Sequence, residues 1–158
     1  MSLEKENFLR TRFIACLQQL DPNTPPQWGK MNVHLMIEHL TDVLMVANGK
    51  IKMHIVTPAE KLPQYKAFMM SDKPFKENTK SPVLPEEPLP LRKQTVQAAI
   101  GKLQEELIYF FNAFESNPQF KTTHPVFVDL DFTENIQLLH KHILHHLKQF
   151  GVTPLVAG

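Results

Sequence analysis

The side chains with most to offer chemically are histidines. The sequence holds 8 of them, and four (His140, His142, His145 and His146) crowd between positions 140 and 146. In a helix, residues i and i+4 lie one turn apart on one face, so His142 and His146 can present two imidazoles to a single metal ion. Turning each residue by about 100 degrees places the apolar stripe of this segment at Ile136, Leu139, Ile143, Leu147 and Phe150. His142 and His146 flank that stripe on one side, His140 flanks it on the other, and His145 points nearly away. Outside this run only His39 lies well inside another long helical pattern, at the edge of the Met36, Leu40, Val43 stripe, while His34 falls on a more exposed side. Three imidazoles can therefore converge at the margin of a core. An i, i+4 histidine pair also arises without a metal, and a core-edge histidine is often only hydrogen-bonded, so spacing alone leaves both readings open.

The elements that must carry these histidines follow from apolar periodicity. Leu9, Phe13, Cys16, Leu17 and Leu20 mark one helix from Leu3 to Leu20, stopped by Asp21-Pro22-Asn23-Thr24-Pro25-Pro26. Asn32 is a plausible N-cap for a second helix with the stripe Val33, Met36, Ile37, Leu40, Val43, Leu44 and Ala47, ended by Asn48-Gly49. From Lys50 to Pro90 there are seven prolines and one short helical stretch, Ala59 to Met70. A connection of that length reads as an overhand crossover. Val96, Ile100, Leu103, Leu107, Phe110 and Phe114 define a third long helix beginning near Thr95 and ending at Asn117-Pro118. Thr122-Thr123-His124-Pro125 reads as loop. Asp131 and Glu134 then have capping-box spacing for a fourth helix that runs to Phe150 and stops at Gly151, with Pro154 and Val156 as a tail. The expected fold is all-α: an antiparallel four-helix bundle with a long crossover between helices two and three, as a single domain over residues 1–158.

Composition narrows the partners. Lys plus Arg (17) nearly cancels Asp plus Glu (16), and no basic stripe offers a phosphate backbone a footprint, so nucleic acid is not expected. The charged start Ser2-Leu3-Glu4-Lys5-Glu6 lacks a signal peptide's apolar run, and no stretch approaches ~20 apolar residues. The expectation is a cytoplasmic protein that does not enter membranes. One cysteine, Cys16, excludes an internal disulfide and sits on an apolar stripe, where it reads as a small core residue.

The run His142-Ile143-Leu144-His145-His146-Leu147-Lys148-Gln149 resembles the H-x-x-H-H-x-x-Q signature of the DinB-like (damage-inducible) metalloenzyme superfamily. Trp28-Gly29-Lys30-Met31 through Met36-Ile37-Glu38-His39-Leu40 is similar to that group's second helix, above all in a branch of unknown function, and Phe132 and Gln149-Phe150-Gly151 extend the likeness. The usual Arg-Gly before the final glutamine is Leu147-Lys148 here, which leaves the ligand positions intact. The resemblance implies a four-helix bundle with a crossover after helix two, and a divalent ion held by His39, His142 and His146. Some relatives transfer thiols such as bacillithiol, mycothiol or glutathione.

Three neutral imidazoles leave a divalent ion with an open position, the arrangement of catalytic zinc sites. Imidazole suits zinc, nickel, iron and copper, with zinc or nickel expected first. The functional expectation is a metal-dependent hydrolase or thiol transferase acting on a small molecule, including a low-molecular-weight thiol. The alternatives are a bundle that binds metal or ligand without turnover, and a metal-free interaction bundle; pairing into a homodimer through exposed helix faces is compatible with each. Glu38 and Asp42 project away from His39 and read as solvated carboxylates, Gln149 as a partner that orients His146, and Trp28, Tyr65 and Tyr109 as packing or cleft lining.

Overall fold

A computed structural model describes residues 2–77 and 90–154. Its helices are α1 (Ser2–Thr11), α2 (Phe13–Gln19), α3 (Val33–Ala47), α4 (Leu62–Met70, preceded by a 3-10 turn at Ala59–Lys61), α5 (Val96–Ser116) and α6 (Phe132–Gln149), with strands β1 (Thr122–His124) and β2 (Val128–Leu130) between the last two helices. The described chain is thus mostly helical with one small antiparallel sheet. No helix among the described residues is long and apolar enough to cross a membrane.

The long helices begin where short polar side chains satisfy the free N–H groups of a first turn. The Asn32 side chain accepts from the Leu35 N–H at 2.8 Å and Thr95 from the Ala98 N–H at 3.0 Å. Asp131 accepts from the Glu134 N–H at 2.8 Å while Glu134 accepts from the Asp131 N–H at 3.0 Å, a complete capping box. The apolar stripes then meet in one core. Phe8, Phe13, Met36, Ile37, Leu40, Leu103, Phe110 and Ile143 are all fully or almost fully buried in it. A second, smaller cluster joins Met69 of α4, Phe127 and Leu130 of the hairpin, and Leu138 of α6.

Cross-links between helices give their directions. Glu38 meets Arg92 and Lys93 just ahead of α5, and Asn48 meets Glu106 further along it, so α3 and α5 run parallel. Lys5 with Gln137 and Phe8 with His140 make α1 parallel to α6. His39 with His142, and Ala47 joined to Asn135 through Thr122, make α3 antiparallel to α6. Parallel neighbours need a long return path, and the stretch between Gly49 and Thr95 supplies it between α3 and α5. Antiparallel therefore describes only some of the helix pairs.

Two expectations are corrected. The first helix is not one run from Leu3 to Leu20: helical geometry lapses at Arg12 (φ −125, ψ −23) between α1 and α2. The Thr11 hydroxyl donates back to the Asn7 carbonyl at 2.7 Å beside this lapse, a bond of the kind that competes with a helix ladder. The segment read as loop at Thr122-Thr123-His124 is β1, paired with β2 in the register Thr122 to Leu130 and His124 to Val128, so the chain is not all-α. The short helix expected at Ala59 to Met70 is there. Pro82, Pro85 and Pro88 of the crossover and Val156 of the tail lie outside the described residues.

Candidate metal centre

α3 and α6 face each other with their histidines at the same level. The Nε2 atoms of His39 and His142 are 3.2 Å apart and those of His142 and His146 are 3.1 Å apart. One nitrogen from each of the three lies within 4.8 Å of the others. Nitrogens about 2.0–2.1 Å from one tetrahedral zinc stand about 3.3–3.4 Å from each other, so the rings are already near ligand spacing. The i, i+4 geometry of α6 sets the pair, and the antiparallel register of α3 supplies the third.

The tautomer of His146 is fixed from outside. The Gln149 Nε2 donates to the Trp28 carbonyl at 2.9 Å, which turns its Oε1 toward His146 Nδ1 at 2.8 Å. A carbonyl oxygen only accepts, so the His146 proton sits on Nδ1 and the Nε2 lone pair faces the other two rings. Gly29 makes room for this link: its φ is +77, and a Cβ there would come 3.2 Å from Gln149 Nε2. The Gln27 N–H donates to the Gln149 carbonyl at 2.7 Å and completes the docking of this loop onto the end of α6.

Burial dominates the electrostatics. It lowers His39 to about 4, with Asp42 opposing slightly, and lowers His146 to about 3, with His39 adding to the effect. His142 is pushed well below the ordinary value by burial and then by His146 and His39. All three rings are therefore neutral at physiological pH, the form that ligates. No carboxylate among the described residues joins them.

No family model, curated protein or solved structure matches the chain.

The structure places the remaining sequence candidates as follows. His145 does not join the cluster; its ring lies tilted against Trp28 (5.2 Å) and edge-on to Phe75 (5.8 Å). His140 is buried on the opposite flank against Phe8, with no hydrogen-bond partner for its Nε2 among the described residues. His34 is not on an exposed face: its Nε2 is buried 3.5 Å from a Glu38 carboxylate oxygen. Tyr65 packs against the small cluster, and Tyr109 is exposed beneath the Lys50 ammonium.

Glu38 is not a solvated carboxylate, and Asp42, whose side chain keeps 29% of its surface exposed, is ion-paired. Glu38 is buried and accepts the backbone N–H groups of Arg92 (2.8 Å) and Lys93 (2.6 Å). Burial alone would raise its pKa, but these two bonds and the Arg92 charge hold it below the usual carboxylate value. Arg92 also grips Asp42 with two nitrogens, at 2.8 and 3.1 Å. The residue preceding His39 thus ties the end of the crossover to α3.

Its early part is tied to α6. Gln137 Nε2 donates to the Met69 and Ser71 carbonyls at 3.1 and 2.9 Å, and Lys141 donates to the carbonyls of Ser71 (2.9 Å) and Lys73. These bonds seat Phe75 edge-on against His142, at 5.9 Å between centroids. Sequence reasoning missed Glu38, Lys141 and Phe75 because their partners lie across the chain, in a segment without periodicity.

Proposed function

We propose that this chain is a DinB-like four-helix metalloprotein whose single divalent ion, zinc or nickel, is held by His39, His142 and His146. The first helical run, α3, α5 and α6 form the bundle, and the stretch from Lys50 to Pro90 is its crossover. The observation that carries the reading is the convergence of three neutral imidazoles, with His142 Nε2 3.2 Å from His39 and 3.1 Å from His146, all three nitrogens within 4.8 Å, and the His146 lone pair aimed inward by Gln149. A cluster serving only as core would gain nothing from facing three ring nitrogens with too few protons to bridge them.

Three histidines without a carboxylate leave a divalent ion its full charge and an open position, so the chemistry it supplies is Lewis acidity toward a water, thiol or carbonyl. The chain's own contribution is placement and dryness. Gln149 fixes one ligand's orientation, Glu38 and Lys141 pin the crossover at two sides of the site, and Phe75 sets an aromatic edge against His142. We therefore propose a metal-dependent hydrolase or thiol transferase for a small substrate. The test is a screen of esters, amides and low-molecular-weight thiol adducts with zinc- and nickel-loaded protein against the metal-free form. Metal-dependent turnover that disappears in His142→Ala supports the enzyme reading. Silence throughout, with metal bound, leaves a metal-binding bundle without catalysis.

A further inference from the structure

β1 lies over the groove between α3 and α6. The Thr122 hydroxyl donates to the Ala47 carbonyl at 2.8 Å and accepts from the Asn135 amide at 3.1 Å, bridging the end of α3 to the start of α6. Side chains two apart on a strand share a face. Thr123 looks the other way, its hydroxyl on the exposed Asp129 at 2.6 Å, so His124 looks with Thr122 into the groove. From Ala47 back to His39, and from Asn135 on to His142, the helices travel about 10–12 Å. Two strand residues cover about 7 Å of that path. A Cβ at Gly49, just past α3, would meet Phe120 and Thr122, while Thr122 bonds Ala47, so β1 runs from the end of α3 back toward its middle, where His39 lies.

The ring of His124 is also set in one tautomer. The Val126 N–H donates to His124 Nδ1 at 3.0 Å, so the proton of the neutral ring is on Nε2, which has no hydrogen-bond partner among the described residues. Burial lowers its pKa to about 4, so it remains a neutral donor at physiological pH.

The hairpin tip that holds it is over-determined. The Val56 N–H donates to the Pro125 carbonyl at 2.7 Å and Thr57 Oγ1 to the Val126 carbonyl at 2.9 Å. Phe127 packs on the His124 ring at 5.1 Å. Val128, opposite His124 in the ladder, has φ 78, a left-handed conformation costly for a β-branched residue and tolerated where the surroundings impose it.

We infer that His124 is a substrate-binding residue of this site, its Nε2–H donating to an oxygen or other acceptor on the ligand held at the three-histidine cluster. The inference rests on the metal reading above and assigns the substrate a hydrogen-bond acceptor, such as a carboxylate or carbonyl oxygen, next to the atom that meets the metal.

The probe is azide, a compact anion, titrated into cobalt(II)-loaded protein and followed by visible absorption. In His124→Asn the shorter carboxamide can still take the Val126 N–H but does not reach as far, whereas His124→Gln restores a distal donor. Cobalt should bind one per chain in all three proteins, with azide about tenfold weaker in His124→Asn and recovered in His124→Gln. Equal azide affinity in wild type and His124→Asn overturns this inference and leaves the metal site standing. Failure of the wild type to bind cobalt overturns both. In metal-free protein, nitrogen NMR should find the His124 proton on Nε2; a proton on Nδ1 overturns the assignment.

Discussion

Two buried polar clusters involve α3, and they are built on opposite principles. Just past its carboxyl end, Glu106 of α5 is 1% exposed and its carboxylate is met by Lys102 (2.9 Å), Lys50 (3.1 Å) and Asn48 (2.9 Å). Burial would raise its pKa, but those three bonds win and hold it low. That cluster is complete: a buried charge with its partners. In the middle of α3, His39 faces His142 and His146 nitrogen against nitrogen, with no carboxylate among the described residues joining the group. The first arrangement is complete in itself; the second has the spacing that the proposed cation would complete.

The widest separation between them should come from pH. Histidines whose folded pKa is depressed are charged first in the unfolded chain, so their contribution is intact above about pH 6.5 and is lost as pH falls toward 4. For His39, at about 4, and His146, at about 3, the loss between pH 7 and 5 is roughly 4 kcal/mol together in metal-free protein. Glu106, held below its ordinary 4.5, contributes a loss only at lower pH, as the carboxylate takes its proton. Urea unfolding of metal-free protein should therefore weaken steeply from pH 7 to 5; a flat profile there contradicts the burial of neutral rings.

Next in size is Glu106→Ala, which strands Asn48 and two lysines and should cost about 3 kcal/mol in urea unfolding with zinc affinity unchanged. A change in zinc affinity would mean that the two clusters are coupled through α3. Gln149→Leu removes the acceptor that orients His146 and should weaken zinc about 10–100-fold in a chelator competition, with a loss of about 1–3 kcal/mol in stability as His146 Nδ1 and the Trp28 carbonyl lose their partner. The smallest effect belongs to Gly29→Ala. Strain at φ +77 and a Cβ 3.2 Å from Gln149 Nε2 should cost about 1 kcal/mol and weaken zinc a few-fold.

The same contrast explains what could be read from residues alone. Periodicity and caps are local, so Asn32, Thr95, Asp131 and the buried stripes of α3, α5 and α6 were legible. So were His142 with His146, one turn apart, His39 at a stripe edge, and Gln149 one turn from His146. The Glu106 cluster was not, because it joins residues 48, 50, 102 and 106 across the crossover. Glu38 failed for the same reason: a helical wheel puts it on the polar face, and only the strap at Arg92 and Lys93 buries it. Strands of three residues are too short to show alternation, which hid the hairpin and with it the position of His124. The lapse at Arg12 falls where no proline or glycine signals a break, next to the Thr11 hydroxyl bonded to the Asn7 carbonyl.

The central claim is that His39, His142 and His146 hold one ion. The direct measurement is elemental mass spectrometry on protein purified without a histidine tag, offered zinc, nickel and manganese, beside His39→Ala, His142→Ala, His146→Ala and His145→Ala. The account predicts about one divalent ion per chain, lost in the first three variants and kept in His145→Ala, whose ring lies between Trp28 and Phe75 outside the cluster. No metal in the wild type, or equal loading in the three ligand variants, would contradict it.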